Sequence, residues 1–434
     1  MFAAGPKHQP LGPPSHEKLA RLRSCFCAMT QAPADAATPV VSAFYDRFPY
    51  PGDPLQDGPP PGYNWRWCVD AAYAACTGAV APRSADGAPL RVLDAGCGTG
   101  VSTDYLAHLN PGAEILAVDI SPGTLQVARE RLRRSGGHEQ AQVRIENRSL
   151  LELENEDPFD YINSVGVLHH LRQPEAGLKA LAALLKPGAL LHLFLYADGG
   201  RWEIHRTQRA LTAMGVGTGD EGLRLGRQLL AELPEHNRLR RHHEQRWAID
   251  CAADANFADM YLHPQETSYS LERLMAFVAS ADLEFAGFSN SQVWDPARLL
   301  QGELLERAQA LPPLQQWQLI EDLDPDISHF EFFLAKPPLR HCSWDDDAAL
   351  LAAAGLRNPC LWGWPGTALL DSDMAPLDLS ADGLALMQAL ELAPAHTPIG
   401  RLPLGWPETQ MASVARELLA QRVLLLRPGV GSAA

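Results

Sequence analysis

The stretch "RVLDAGCGTGVSTDYL", residues 91–106, ends an apolar run in an acid and then sets Gly96, Gly98 and Gly100 at alternate positions. A strand that closes on a glycine-rich turn and opens a helix forms the ligand crevice of open α/β folds. Two ligand classes compete for such a turn. A dinucleotide rests its pyrophosphate on the helix end and uses G-x-G-x-x-G. Here the spacing is G-x-G-x-G, with Asp94 two residues ahead of the first glycine. A carboxylate repels pyrophosphate and attracts an ammonium. The turn therefore suits a ligand with an amino group and no phosphate.

S-adenosylmethionine is such a ligand, and its sulfonium adds a second positive charge. The next strand, "EILAVDIS", ends in Asp119, where a carboxylate can accept both ribose hydroxyls. Further along, His169 and His170 follow "INSVGV". They stand at the end of the fourth strand as candidates for a general base, the alternative being one cap and one packed ring. Neighbours near a strand end tend to face opposite ways, so one of them is expected in the cleft. Tyr196 ends the fifth strand. Arg201, Glu203 and His205 come next, at the mouth of the cleft. Arg201 could clamp a substrate carboxylate or phosphate in a bidentate pair, or pair with Glu203 or Asp198. "FADMYLHPQETSYS" brings Asp259, His263 and Tyr269 to the same rim. His205, Asp259 and His263 lack metal-ligand spacing, so no metal is expected.

These residues sit on a β-α rhythm that begins at Pro89. "LRVLDAG", "EILAVDI", "QVRIENRS", "FDYINSVGVLHHL" and "ALLHLFLY" read as strands, with helices between them. Near-continuous apolar strands imply a parallel sheet covered on both faces. The expected layout is a flexible arm over 1–40 and an aromatic, Pro-rich strap or lid over 41–84. An α/β domain follows over 85–338, with a helical insertion at about 198–264. The last segment, 339–434, is expected to be a small helical or winged-helix-like module. Tyr45, Tyr50, Trp65 and Trp67 either close a lid over the cleft or clamp the strap to the core.

Composition narrows the function classes. The chain has 434 residues, a formal net charge of -16 and 46% hydrophobic residues. Bulk acidity argues against non-specific nucleic-acid binding, which depends on Lys and Arg. "NRLRRHHEQR", Asn237 to Arg246, is the most basic stretch and also suits a solvated helix face. No apolar run of eighteen residues predicts a membrane span, and the N-terminus lacks a signal-like apolar core. Eight scattered cysteines read as reduced thiols in a cytoplasmic protein.

"RVLDAGCGTG", "AVDIS", "FDYINSVGVLHHL" and "LLKPGALLHLFLY" together resemble the class I S-adenosylmethionine-dependent methyltransferases. The resemblance covers residues 89–196, and "LEFAGFS" with "FEFFLAKP" look like that family's last two strands. It implies a seven-stranded, doubly wound sheet with an antiparallel final strand. It implies methyl transfer from S-adenosylmethionine to an O, N, C or S nucleophile. By matching position, Asp94 and Gly96 would face the methionine end. Gly98 and Gly100 would admit the backbone, and Asp119 would hold the ribose, with Ile120 against adenine. The family often has an acid where Ser149 stands, so Ser149 or the Leu150 amide would take the adenine contact.

Methyl transfer to a bulky small molecule or a peptide segment is the leading expectation. A cofactor-binding regulator acting through the C-terminal module is the alternative from another class. An NAD-dependent oxidoreductase conflicts with Asp94 and the glycine spacing.

Overall fold

The structure, a computed structural model, describes residues 38–84, 86–366 and 368–429. The expected N-terminal arm therefore lies almost wholly outside the described residues.

The centre is a seven-stranded sheet. Its strands are β1 (Arg91–Ala95), β2 (Glu114–Asp119), β3 (Gln142–Asn147), β4 (Phe159–Val165), β5 (Leu185–Tyr196), β6 (Glu284–Phe288) and β7 (His329–Ala335). They lie in the order β3-β2-β1-β4-β5-β7-β6. β1 to β5 run parallel, and β7 is antiparallel to both of its neighbours. Successive side chains point to opposite faces. Thus Leu93, Ile162 and Leu191 enter one core, with Phe330 and Phe332. Val92, Tyr161 and Leu190 enter the other, with Phe333. Both faces are covered, as continuous apolar strands require.

The helix Pro122–Ser135 behind β2 shows how locally its ends are written. Ser121 Oγ accepts the Thr124 amide at 3.1 Å, Pro122 starts the first turn, and Gly136 ends it at φ +79°. A cap, a first-turn proline and a left-handed glycine are ordinary helix punctuation.

Between β5 and β6 the chain forms helices Trp202–Ala213, Asp220–Glu232, Arg238–His242 and Asp254–Leu262. The first two and the last share a core with Phe44 and Phe48, at the end of helix Thr38–Arg47. Strap and insertion, separated in the chain, are thus one packed body over the ends of the strands. Within the basic stretch, Arg238 pairs with Glu203, Arg240 with Glu244 and Arg246 with Asp326.

Residues from Trp344 onward build a separate core around Leu350, Leu386, Met387, Ile399 and Leu418. Strand Leu424–Arg427 pairs antiparallel with Ala354–Arg357. This unit hangs on the strap: the Val80 amide donates to the Leu426 carbonyl at 2.9 Å, and Trp344 Nε1 to the Gly78 carbonyl at 2.6 Å. Among the described residues, no helix is long and apolar enough to cross a membrane.

Candidate active site

A cavity of about 660 Å³ opens at the carboxyl ends of β1, β2, β4 and β5, and the strap and insertion roof it. That is the crevice an open α/β sheet offers a ligand. One end is built from backbone and glycine, the other from side chains.

At the first end, Gly96, Gly98, Asp119, Ile120, Ser149 and Leu150 all reach the wall. Asp119 Oδ2 accepts the Gly98 amide and Oδ1 the Ser121 amide, each at 2.9 Å. Burial pushes its carboxyl up, and these amides oppose that shift. Gly96 (φ +81°) and Gly98 (φ +53°) occupy left-handed conformations. A Cβ on Gly96 would collide with Val167, and one on Gly98 would lie 2.5 Å from the Tyr50 carbonyl oxygen. The strap therefore lies directly against the turn. The Thr99 amide also donates to that carbonyl, at 3.1 Å.

Two expectations for this end need correction, and Ser149 stays where it was placed. Asp94 is only 1% exposed and lies behind the wall. Its Oδ2 accepts Ser102 Oγ at 2.7 Å and Thr103 Oγ1 at 2.6 Å, and its Oδ1 accepts Asn163 Nδ2 at 2.8 Å. It faces the first turn of helix Val101–Leu109, where a helix dipole favours an acid. Its carboxylate thus fastens the turn to that helix, and the direct ion pair with a ligand ammonium is not made by this geometry. Gly100 (φ +80°) does not meet the cavity. A Cβ there would come within 2.9 Å of Ala128, so this glycine lets two helices approach. Ser149 caps a short turn, accepting the Leu151 amide at 3.2 Å. One lone pair is used there, and Ser149 still reaches the wall beside Leu150.

At the second end, Asp259 is the centre. Its Oδ1 accepts Tyr45 Oη at 2.9 Å and its Oδ2 accepts Tyr196 Oη at 3.2 Å. It is 3% exposed, and among the described residues no Lys or Arg forms an ion pair with it. Burial pushes its carboxyl up. Burial, and then Asp259 itself, pushes both tyrosines up, so they remain hydroxyl donors. His170 is on the cavity wall, with Nδ1 2.9 Å from the Gln265 carbonyl oxygen. That bond needs the proton on Nδ1 and leaves Nε2 as an acceptor. The Gln265 amide donates to His263 Nδ1 at 3.1 Å, which fixes the opposite tautomer there. His170, His263 and Asp259 lie close enough to chelate, each offering an atom within 4.8 Å of the others. The ring nitrogen bonds just described and the two tyrosine hydroxyls already occupy much of that donor set.

His169 lies behind His170, fully buried, and does not line the cavity. Its ring stacks on Tyr196 at 3.9 Å, and neither ring nitrogen has a hydrogen-bond partner. Burial, and then His170, holds its pKa well below the usual histidine value. It is a packed ring, which removes it from the base candidates. Arg201 reaches the cavity, but its fork is closed by Glu266, with bonds of 3.2 and 2.8 Å. Neither Glu203 nor Asp198 is its partner, and a bidentate clamp on substrate is not available. His205 also serves Glu266, at 3.1 Å, and does not line the cavity. Burial pushes Glu266 up, but Arg201 and His205 outweigh it and hold it at about 2. Tyr269 is not at the rim: its backbone bridges to Ala197, and its ring packs on Phe277 in the sheet core.

Glu266, Gln265, Asn163 and His192 were missed from sequence. The last two had a signal, a polar residue inside an otherwise apolar strand. Glu266 and Gln265 sit in a loop with no such pattern.

Residues 93–191 match the family described as "Methyltransferase domain". Over 416 residues the chain is 46% identical to the uncharacterized protein syc1184_c of Synechococcus sp., covering 94% of this chain and 97% of that one. It is 38% identical over 103 residues to the ubiquinone biosynthesis O-methyltransferase of Xanthomonas euvesicatoria pv. vesicatoria, 24% of this chain and 41% of that one. The solved structure of PKMT2 from Rickettsia typhi in complex with AdoHcy superposes with a TM-score of 0.56. It covers 85% of this chain and 77% of that one at 17% identity, a likeness of fold.

Proposed function

This chain belongs to the class I S-adenosylmethionine-dependent methyltransferases, and on that footing we propose that it methylates a basic nitrogen on a bulky small molecule or a peptide segment. S-adenosylmethionine is its cofactor. The residues present fit that ligand. The turn presents left-handed glycine backbone to the cavity at Gly96 and Gly98, and Asp119 has lone pairs left for ribose hydroxyls. Ile120 and Leu150 offer an apolar wall to a flat ring. When bound, the cofactor supplies a methyl group on an electrophilic sulfonium.

The acceptor reading rests on one observation: Asp259 is a buried carboxyl group in the cavity, bonded to two tyrosine hydroxyls, with histidines beside it but, among the described residues, no Lys or Arg in an ion pair with it. A buried carboxylate is costly unless compensated. An entering ammonium supplies the missing charge, and Tyr45, Tyr50 and Tyr196 give it aromatic surroundings. An amine must lose a proton before it attacks, and His170 Nε2 is the acceptor nearest to that task. Orientation then does most of the remaining work, for which about 7–11 kcal/mol is available in well-aligned reactions.

The experiment is transfer of labelled methyl from the cofactor into fractionated amines, peptides and phenols. Amine or peptide products should dominate. Asp259→Asn should lower kcat/KM by about 10²-fold or more while S-adenosylhomocysteine still binds. Labelled phenols or carboxylates, with Asp259→Asn as active as wild type, would sink the amine assignment.

A further inference from the structure

A row of polar side chains crosses the middle of the sheet, through four adjacent strands. Asp94 is on β1, Asn163 on β4, His192 on β5 and Glu331 on β7. Asp94 pairs with Asn163 in register, and Asn163 with His192. Asp94, Asn163 and His192 are each no more than 1% exposed. Asn163 Nδ2 donates to Asp94 at 2.8 Å. Asn163 Oδ1 accepts Trp67 Nε1 at 3.0 Å and His192 Nδ1 at 2.9 Å. His192 Nε2 lies 3.2 Å from Glu331 Oε1. Glu331 Oε2 accepts Ser289 Oγ at 2.6 Å and pairs with Arg66.

The direction of each bond at Asn163 is forced. An indole nitrogen only donates and a carboxylate accepts, so Asn163 has one orientation. Its oxygen meets two donors and its amide meets Asp94. Such a row is an expensive way to fill a sheet centre, since apolar side chains of the same shape would serve stability as well or better. Its two ends show what it accomplishes. One end is the carboxylate that fastens the glycine turn. At the other, Glu331 meets Arg66 of the strap, and between the ends Asn163 holds Trp67 of the same strap, which lines the cavity.

We propose that Asn163 and His192 are positioning residues for the cofactor: they tie the strap, through Trp67, to the glycine turn, through Asp94, so that the two walls of one end of the cavity are set together. This rests on the reading of that end as the cofactor end. Neither residue touches the cavity, so neither is catalytic. The charged or titratable groups facing the row are Asp94, His192, Glu331 and Arg66, with Cys97 and Asp119 beyond Asp94 and Tyr161 and His329 beside Glu331 and Arg66.

The test is calorimetric titration of the full chain with S-adenosylhomocysteine at pH 6 and pH 8. Asn163→Asp keeps the acceptor for Trp67 and His192 but turns a carboxylate onto Asp94. Two such groups cannot both ionise easily. Its affinity should fall at least tenfold at pH 8 and recover in part at pH 6, where the pair shares a proton. His192→Gln can still donate to Asn163 and should stay within threefold of wild type, while His192→Leu should fall at least tenfold. The His192 pair decides the matter if Asn163→Asp does not fold. Wild-type affinity in both Asn163→Asp and His192→Leu overturns the inference, as does an equal loss at the two pH values. A wild-type chain that does not bind the compound overturns the cofactor reading, and this inference with it.

Discussion

The two ends of the cavity are made differently. The end around Gly96 and Asp119 comes largely from one continuous stretch, residues 94–120, and uses backbone. The end around Asp259 is drawn from Tyr45, His170, Tyr196, Arg201 and Glu266, which lie on the strap, two strand ends, the insertion and a loop. Backbone geometry is written locally, because a left-handed φ calls for glycine at a fixed position. A side-chain cluster is written only in the fold. One end can therefore be kept while the other is rebuilt, and the acceptor can differ among proteins that share the turn.

Three substitutions separate these ends, in descending order of effect. Arg201→Met should be the most damaging. Arg201 and Glu266 are 3% and 7% exposed, and removing Arg201 leaves a buried carboxylate with only His205 beside it. Such losses run to about 3–5 kcal/mol. Denaturant melts should show it, and Glu266→Gln made alongside Arg201→Met should recover part of the loss. If the single variant melts like wild type, the second end is not held together by this pair. Asp119→Ala comes next. It removes the acceptor of two amides at the first end, and binding of S-adenosylhomocysteine should weaken by about 2–3 kcal/mol, roughly 30- to 150-fold. A comparable loss of stability without loss of binding would mean that Asp119 serves the turn and not a ligand.

His169→Phe should have the smallest effect, and its sign depends on pH. His169 is neutral in the fold because burial holds its pKa well below the usual 6.5. The unfolded chain takes up this proton below about pH 6.5 and the folded chain does not, so the histidine lowers stability as pH falls through that window. His263 acts in the same direction, again chiefly through burial. His169→Phe should melt higher than wild type at pH 5.5 and within a degree or two of it at pH 8. Equal melting at both values would show that the ring titrates freely in the folded protein.

The same contrast explains what could be read without coordinates. The strands, the glycine turn and Asp119 were legible because periodicity and positive φ leave marks on neighbouring residues. Asp94 was assigned to the right region with the wrong partner. From sequence it has an obvious charge, but Ser102, Thr103 and Asn163 claim that charge only once β4 and the next helix are placed. Of the two adjacent histidines, spacing could not say which enters the cleft, since that depends on the loop around Gln265. Arg201 was given a choice of partners near in sequence, yet its partner is 65 residues away. Tyr269 was placed at the rim because its segment returns there, and the backbone bridge to Ala197 turns it into the core.

The position of β7 has a temporal consequence. It lies between β5 and β6 although it is made after both, and His329, at its start, completes a cavity whose first lining residue among the described ones is Val41. Long-range closure of this kind is slow and comes after local structure has formed. A chain emerging from the ribosome can shape its glycine turn early, but its chamber stays open on one side until β7 has been synthesised. Until then the exposed flank of β5 is a bare strand edge, the kind of surface that invites wrong pairing.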